Sequence, residues 1–174
     1  IVNCSAQDAT GDTMNAGEIT IHGSTGDAAG YAMRGGAIYV QGDAGYRAGI
    51  HMKEYKEKVP VLVIGGRTGS FLGEYQAGGI IVVIGSEDRQ PVGNFCGTGM
   101  HGGRIYLRTA HLPKDLPEQV VAHKATEEDM QIAAPLVQNY AEKFGADAES
   151  LLHDEYYVLR PNTQNPYKQL YVTN

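Results

Sequence analysis

The chain has 174 residues, a length typical of a single domain. Its formal net charge of −6, from 14 Lys and Arg against 20 Asp and Glu, argues against the basic surface that binding to nucleic acid requires. Two cysteines without metal-ligand spacing exclude a disulfide framework, and no apolar run reaches the roughly 18 residues of a membrane span. We therefore expect a cytoplasmic protein without a nucleic-acid or membrane partner.

A repeat of 19 residues occupies the first part of the chain. Met14, Met33 and Met52 are each separated by 19 residues, and the segment 17–23 returns as the segment 36–42. Two insertions, at 53–59 and 86–94, interrupt the pattern, which covers residues 11–108 in four copies. A fixed period of this size indicates a protein built from stacked units.

Each copy contains a short segment in which Ile and Val alternate with other residues, as in a β-strand. A unit this short cannot bury its own apolar face, so successive strands should stack in parallel and in register, about 4.8 Å apart. We therefore predict a mainly β fold, a right-handed single-stranded parallel β-helix with a C-terminal helical tail. The glycines predicted to shape the repeat are Gly23, Gly26, Gly30, Gly35, Gly36, Gly42, Gly45, Gly49, Gly66, Gly69, Gly73, Gly78, Gly79, Gly85, Gly102 and Gly103.

The composition changes after Thr109, where glycine becomes rare and helix-forming residues predominate. We predict a β-helix over residues 1–110 and a helical extension over 111–174 that packs on it. Thr126, followed by three acidic residues, should cap a first helix, and Pro135 should break it and begin a second that ends at Gly145. Asp147 should cap a last short helix before the segment 156–159 and a tail with Pro161 and Pro166.

The sequence gives little support for a catalytic, cofactor-binding or metal site in this chain. The stretch from Gly97 to Gly102 matches G-x-G-x-x-G, but it leads into a predicted strand, whereas a dinucleotide-binding motif opens a helix. Ser70 lacks the G-x-S-x-G context of an esterase nucleophile, and Cys96 is better explained as a buried thiol.

The charged run and the histidines do not point to a specific site. The charged run 53–58, within the first insertion, is either a solvated loop or a docking surface. The six histidines show no metal-binding spacing, and His22, His51 and His101 should be exposed near turns.

The glycine pattern resembles the GXGXG domain, the C-terminal β-helix of the large subunit of glutamate synthase. The segments 26–36 and 92–103 carry the closest resemblance, and the helical tail is similar as well. In that family, glutamine and 2-oxoglutarate become two glutamates, and ammonia passes between a glutaminase site and a synthase site. The resemblance implies FMN and an iron–sulfur cluster in partner subunits, with none in this chain.

The resemblance therefore implies a non-catalytic scaffold, a stand-alone third part of the large subunit, that holds the glutaminase and the FMN-binding synthase parts. It implies a role in glutamate biosynthesis and ammonia assimilation, with a homo-oligomer as a further possibility. Two alternatives stay open: a scaffold similar to the C subunit of formylmethanofuran dehydrogenase, and an independent small hydrolase. The helical tail and the insertion favour glutamate synthase over the first alternative.

Overall fold

A computed structural model describes residues 1–86 and 89–162 of the chain. Pro166 and the rest of the predicted extension after residue 162 lie outside the described residues. The described elements, in chain order, are β1 (Glu18–Ile21), β2 (Ala37–Val40), β3 (Val61–Ile64), β4 (Ala77–Val83), β5 (Gly102–Arg108), β6 (Val120–Lys124), α1 (Glu127–Phe144), α2 (Ala148–His153) and β7 (Tyr156–Pro161).

The predicted parallel, in-register pairing of the repeats is confirmed. Strands β1 to β5 pair in sequence order, and the row that begins with Ile19 and Ile38 continues through Leu62, Ile81 and Ile105. These side chains, with the methionines of the repeat, belong to one apolar core between the sheet and the glycine-rich turns. The alternating pattern of each copy therefore places one residue in two into this core.

The predicted fold class is wrong: the structure is not a mainly β, right-handed single-stranded parallel β-helix. It has a mixed α/β fold around one open seven-stranded sheet in the order β1-β2-β3-β4-β5-β7-β6. Strands β7 and β6 come from the tail and add antiparallel to β5 and to each other. The repeat could not reveal these two strands because they lie outside it, and the segments between the repeat strands are turns with a few isolated bridges.

Helix α1 covers the face of the sheet opposite the first core. Ala133, Val137 and Tyr140 of α1 are buried against Val82 and Tyr106 in a second apolar cluster. Both faces of the central strands are therefore covered, which explains why these strands are apolar on both sides.

The ends of the helices agree with the sequence, but the predicted break at Pro135 is wrong. Thr126 and Asp129 form a capping box, Gly145 ends α1 in the left-handed conformation, and Asp147 caps α2. A single helix nevertheless runs through Pro135. The contacts of α1 with the sheet lie on both sides of the proline, and this packing outweighs the local cost of one lost hydrogen bond.

Short polar side chains connect each repeat to the next one. The N–H groups of Ser24 and Asp43 donate to the side-chain oxygens of Ser5 and Ser24, at 3.1 and 3.0 Å, and the N–H of Arg67 donates to Asp43 Oδ1 at 2.7 Å. A second ladder runs from Asp8 through Asp27 to the N–H of Tyr46. These bonds hold neighbouring repeats in one register.

The ladders leave no room for side chains at several repeat glycines. A Cβ at Gly26 would lie 1.9 Å from Asp8 Oδ1, and one at Gly45 would lie 2.1 Å from Asp27 Oδ1. Glycine is needed at such positions because the neighbouring repeat approaches too closely for any Cβ. At others, such as Gly36 with φ +82°, the backbone is also left-handed.

We predict that Gly45→Ala lowers the free energy of unfolding by about 2–4 kcal/mol, because the new Cβ would also lie 2.9 Å from backbone atoms of the preceding repeat. Urea unfolding measures this loss. Gly145→Ala is the matched control, since Gly145 has φ +67° and no atom within 4 Å, so it should cost only about 1 kcal/mol. Equal losses in the two variants would show that close approach between repeats is not the constraint.

Candidate functional site

The G-x-G-x-x-G stretch does not form a dinucleotide site. Gly97 and Gly99 have positive φ angles of 76° and 68°, and Gly102 begins strand β5. A dinucleotide fingerprint places its last glycine in a helix whose N-terminus faces the pyrophosphate. The expectation that this stretch leads into a strand is confirmed.

The two candidate nucleophiles are held in structural positions. Cys96 is 1% exposed, and burial, together with the nearby charge of Asp115, raises the pKa of its thiol to about 12. The thiol therefore stays protonated at neutral pH and is a poor nucleophile. Ser70 Oγ accepts a hydrogen bond of 3.0 Å from the N–H of Asn94, as the ladder serines do in the earlier repeats.

We predict that Ellman's reagent modifies Cys4, which is exposed, and leaves Cys96 unmodified in the folded chain at pH 8. Absorbance should report one thiol in buffer and two in denaturant. Cys4→Ser provides the control, since it should show no reactive thiol until it unfolds. Labelling of folded Cys4→Ser at the rate of the unfolded chain would contradict the burial of Cys96.

The histidines and the insertion lie at the surface. All six histidines are exposed, which confirms the expectation for His22, His51 and His101. Across residues 1–86 and 89–162, no three His, Cys, Asp or Glu side chains converge as a metal site requires, and no helix of that part is long and apolar enough to cross a bilayer. The insertion forms a small exposed turn in which Tyr55 and Lys58 exchange two backbone hydrogen bonds of 3.1 Å.

A buried carboxylate joins three elements of the C-terminal part. Asp129 of α1 is 3% exposed, and its Oδ2 lies 3.0 Å from Nε2 of His123 in β6 and accepts hydrogen bonds from Thr126. Its Oδ1 is paired with Arg160 of β7. Burial alone would raise the pKa of this carboxyl group, but the Thr126 and His123 hydrogen bonds and the Arg160 charge lower it to about 2.

Only the capping-box contact of Asp129 can be predicted from the sequence. The spacing of Thr126 and Asp129 is that of a capping box, which predicts the helix start. Nothing in the sequence connects Asp129 to His123 or Arg160, because strand pairing brings them together.

We predict that Asp129→Asn lowers the free energy of unfolding by about 2 kcal/mol or more at pH 7, since Arg160 would lose its ion pair. The depressed pKa means that the ionised carboxylate stabilises the fold above the unfolded pKa of 3.8 and that this contribution is lost as the pH falls towards 2. Urea unfolding should therefore show the free energies of unfolding of wild type and Asp129→Asn converging as the pH falls from 7 to 2. Glu128→Gln, an exposed change on the same helix, should give no such loss.

A group of large side chains lies on the turns, exposed except for Phe71, which is half-buried. We name this group the aromatic strip, and it comprises Tyr31, Arg47, His51, Phe71, Tyr75 and Phe95. The rings of Phe71 and Phe95 stack with centroids 5.2 Å apart, and those of His51 and Tyr75 stack at the same distance. The guanidinium carbon of Arg47 lies 5.0 Å from the centroid of Phe71.

The aromatic strip is built on strained backbone. Phe71, Tyr75 and Phe95 have φ angles of 63°, 53° and 60°, and Arg47 and His51 are left-handed as well. This conformation costs roughly 1–2 kcal/mol for a residue with a side chain. The equivalent positions in the earlier repeats hold small residues, such as Ala28 and Ala32, in the same conformation.

The aromatic strip was not predicted from the sequence, although the positions of its phenylalanines relative to the repeat glycines indicate it. Phe71 and Phe95 are 24 residues apart, each two residues before a repeat glycine, where the earlier copies carry Ala28 and Arg47. Aligning the copies on their glycines would have placed these side chains in one row. The cost of the left-handed backbone could not have been read from the repeat.

Comparison with known proteins identifies the family. The chain matches the family described as GXGXG motif over residues 1–163 and belongs to it, which makes it a GXGXG-domain protein of the glutamate synthase-related family. It is also similar to an uncharacterized protein of Methanocaldococcus jannaschii, with 43% identity over 131 residues that cover 70% of this chain and 50% of that protein. The chain thus spans about half the length of the curated relative it matches.

Proposed function

We propose that this chain is a structural subunit of a glutamate synthase-type complex, in which glutamine and 2-oxoglutarate are converted to two glutamates. The observation that carries this proposal is the GXGXG family match over residues 1–163. In the proposed complex, FMN and an iron–sulfur cluster belong to partner subunits, and the chain holds a glutaminase part and an FMN-binding synthase part at a fixed separation.

The architecture is suited to such a role. Successive repeats are joined by backbone pairing and by the side-chain ladders, so the distance between the two ends of the stack is set by the number of repeats. The two candidate nucleophiles have structural roles instead. Cys96 is buried in the core, and Ser70 accepts a hydrogen bond in the ladder. The two free cysteines support a reducing, cytoplasmic location.

We predict that adding this chain to the glutaminase and FMN synthase polypeptides of the same genome raises glutamine-dependent glutamate formation. Activity with ammonia in place of glutamine should change little, because only the glutamine reaction needs the two sites held together. The chain alone should have no glutaminase activity. Gel filtration of the mixture and a coupled assay of glutamate test the proposal.

Two results would contradict it. Glutamine-dependent synthesis that is equally fast without the chain would remove the scaffold role. Glutamine or ester hydrolysis by the chain alone, lost on changing Ser70, would instead favour the independent hydrolase.

A further inference from the structure

We propose that the aromatic strip is the surface through which the chain docks a folded protein partner, one that presents an apolar face and a carboxylate opposite Arg47. This inference rests on the proposed function, since the partner is then one of the two catalytic polypeptides. It goes further because it assigns the contact to named residues and a stated chemistry.

The turns that carry the aromatic strip do not require large side chains. Tyr75 and Phe95 are 46% and 47% exposed, so they bury only half of their apolar surface, and both stand on left-handed backbone. Ala28 and Ala32 show that the same turns form with small side chains. Because the alanines share the left-handed backbone, it is the bulk and exposure of these rings that indicate a selected surface.

The composition of the aromatic strip is typical of a protein interface. Protein interfaces are enriched in Tyr, Phe and Arg, and their binding energy is concentrated in a few such residues. The strip carries these types across four successive repeats, with Arg47 in contact with Phe71. The ring contacts hold the side chains in place before binding, which lowers the entropic cost of ordering them.

The charge that the aromatic strip presents indicates the charge expected on the partner. Arg47 forms an ion pair of 2.8 Å with Glu74, but the side chain of Arg47 is 49% exposed and that of Glu74 only 10%. The strip therefore presents the cation and hides the anion. An exposed guanidinium favours a carboxylate on the partner.

The same geometry disfavours single-stranded nucleic acid. Bases bind to exposed aromatic faces within a positively charged groove, whereas here each stacked ring has one face covered by its neighbour. The chain as a whole also lacks the basic surface that a polyanionic phosphate backbone requires, since its net charge is −6.

The test compares two double variants with the same backbone requirement. Tyr75→Asn with Phe95→Asn removes two rings of the strip. Ala28→Asn with Ala32→Asn is the control, at the equivalent left-handed positions of an earlier repeat. Asparagine tolerates this conformation, so both variants should fold. Isothermal titration with the purified glutaminase polypeptide and the purified FMN synthase polypeptide measures affinity, and thermal melting measures stability.

We expect the strip variant to bind one of the two polypeptides at least about tenfold more weakly than wild type, with an unchanged or raised melting temperature. The control should bind as wild type does. Wild-type affinity of the strip variant for both polypeptides would overturn the docking inference while leaving the proposed function standing.

Absence of wild-type binding to either polypeptide would overturn both proposals. The inference would also be overturned if the substitutions abolished self-association in sedimentation instead, which would make a second copy the occupant. Binding of oligo(dT) by wild type, lost in the strip variant, would assign the surface to nucleic acid and reject a protein partner.

Discussion

Each repeat lies so close to its neighbour that this contact governs the pairing of the strands, the turns and the positions of many glycines. The backbones of successive repeats pair along the strands, and in the turns between them Ser and Asp side chains accept hydrogen bonds from the N–H groups of the following repeat. These short bonds bring the Asp27 carboxylate to a place that a side chain at position 45 would need. Glycine at positions such as 26 and 45 follows from this geometry, because a side chain there would occupy the place of the hydrogen-bonded carboxylate.

The sheet that results is covered on two sides by different means. The glycine-rich turns and their methionines close one face, and α1 closes the other. The C-terminal part is tied to the sheet through β6 and β7 and through Asp129, whose partners His123 and Arg160 lie on those two strands. An ionised carboxylate with several donors around it is stable in such a buried place, and it connects helix and strands.

The division between these two sides has a functional consequence. The turns that carry the aromatic strip belong to the glycine-rich side, away from the face that α1 occupies. Their side chains are therefore available for contact, and their position is set by the same repeats that build the core. The proposed scaffold role would need such a combination, a regular interior together with a surface that a partner recognises.

The period, the in-register pairing of β1 to β5, and the ends of α1 at Thr126 and Gly145 can be predicted from the sequence. These features depend on residues close in sequence or repeated at one spacing, so local patterns suffice. The open, mixed sheet, the pairing of β7 with β5 and the continuation of α1 through Pro135 became known from the fold. They arise from contacts between segments that are distant in sequence and share no pattern, where burial against the sheet outweighs local preference.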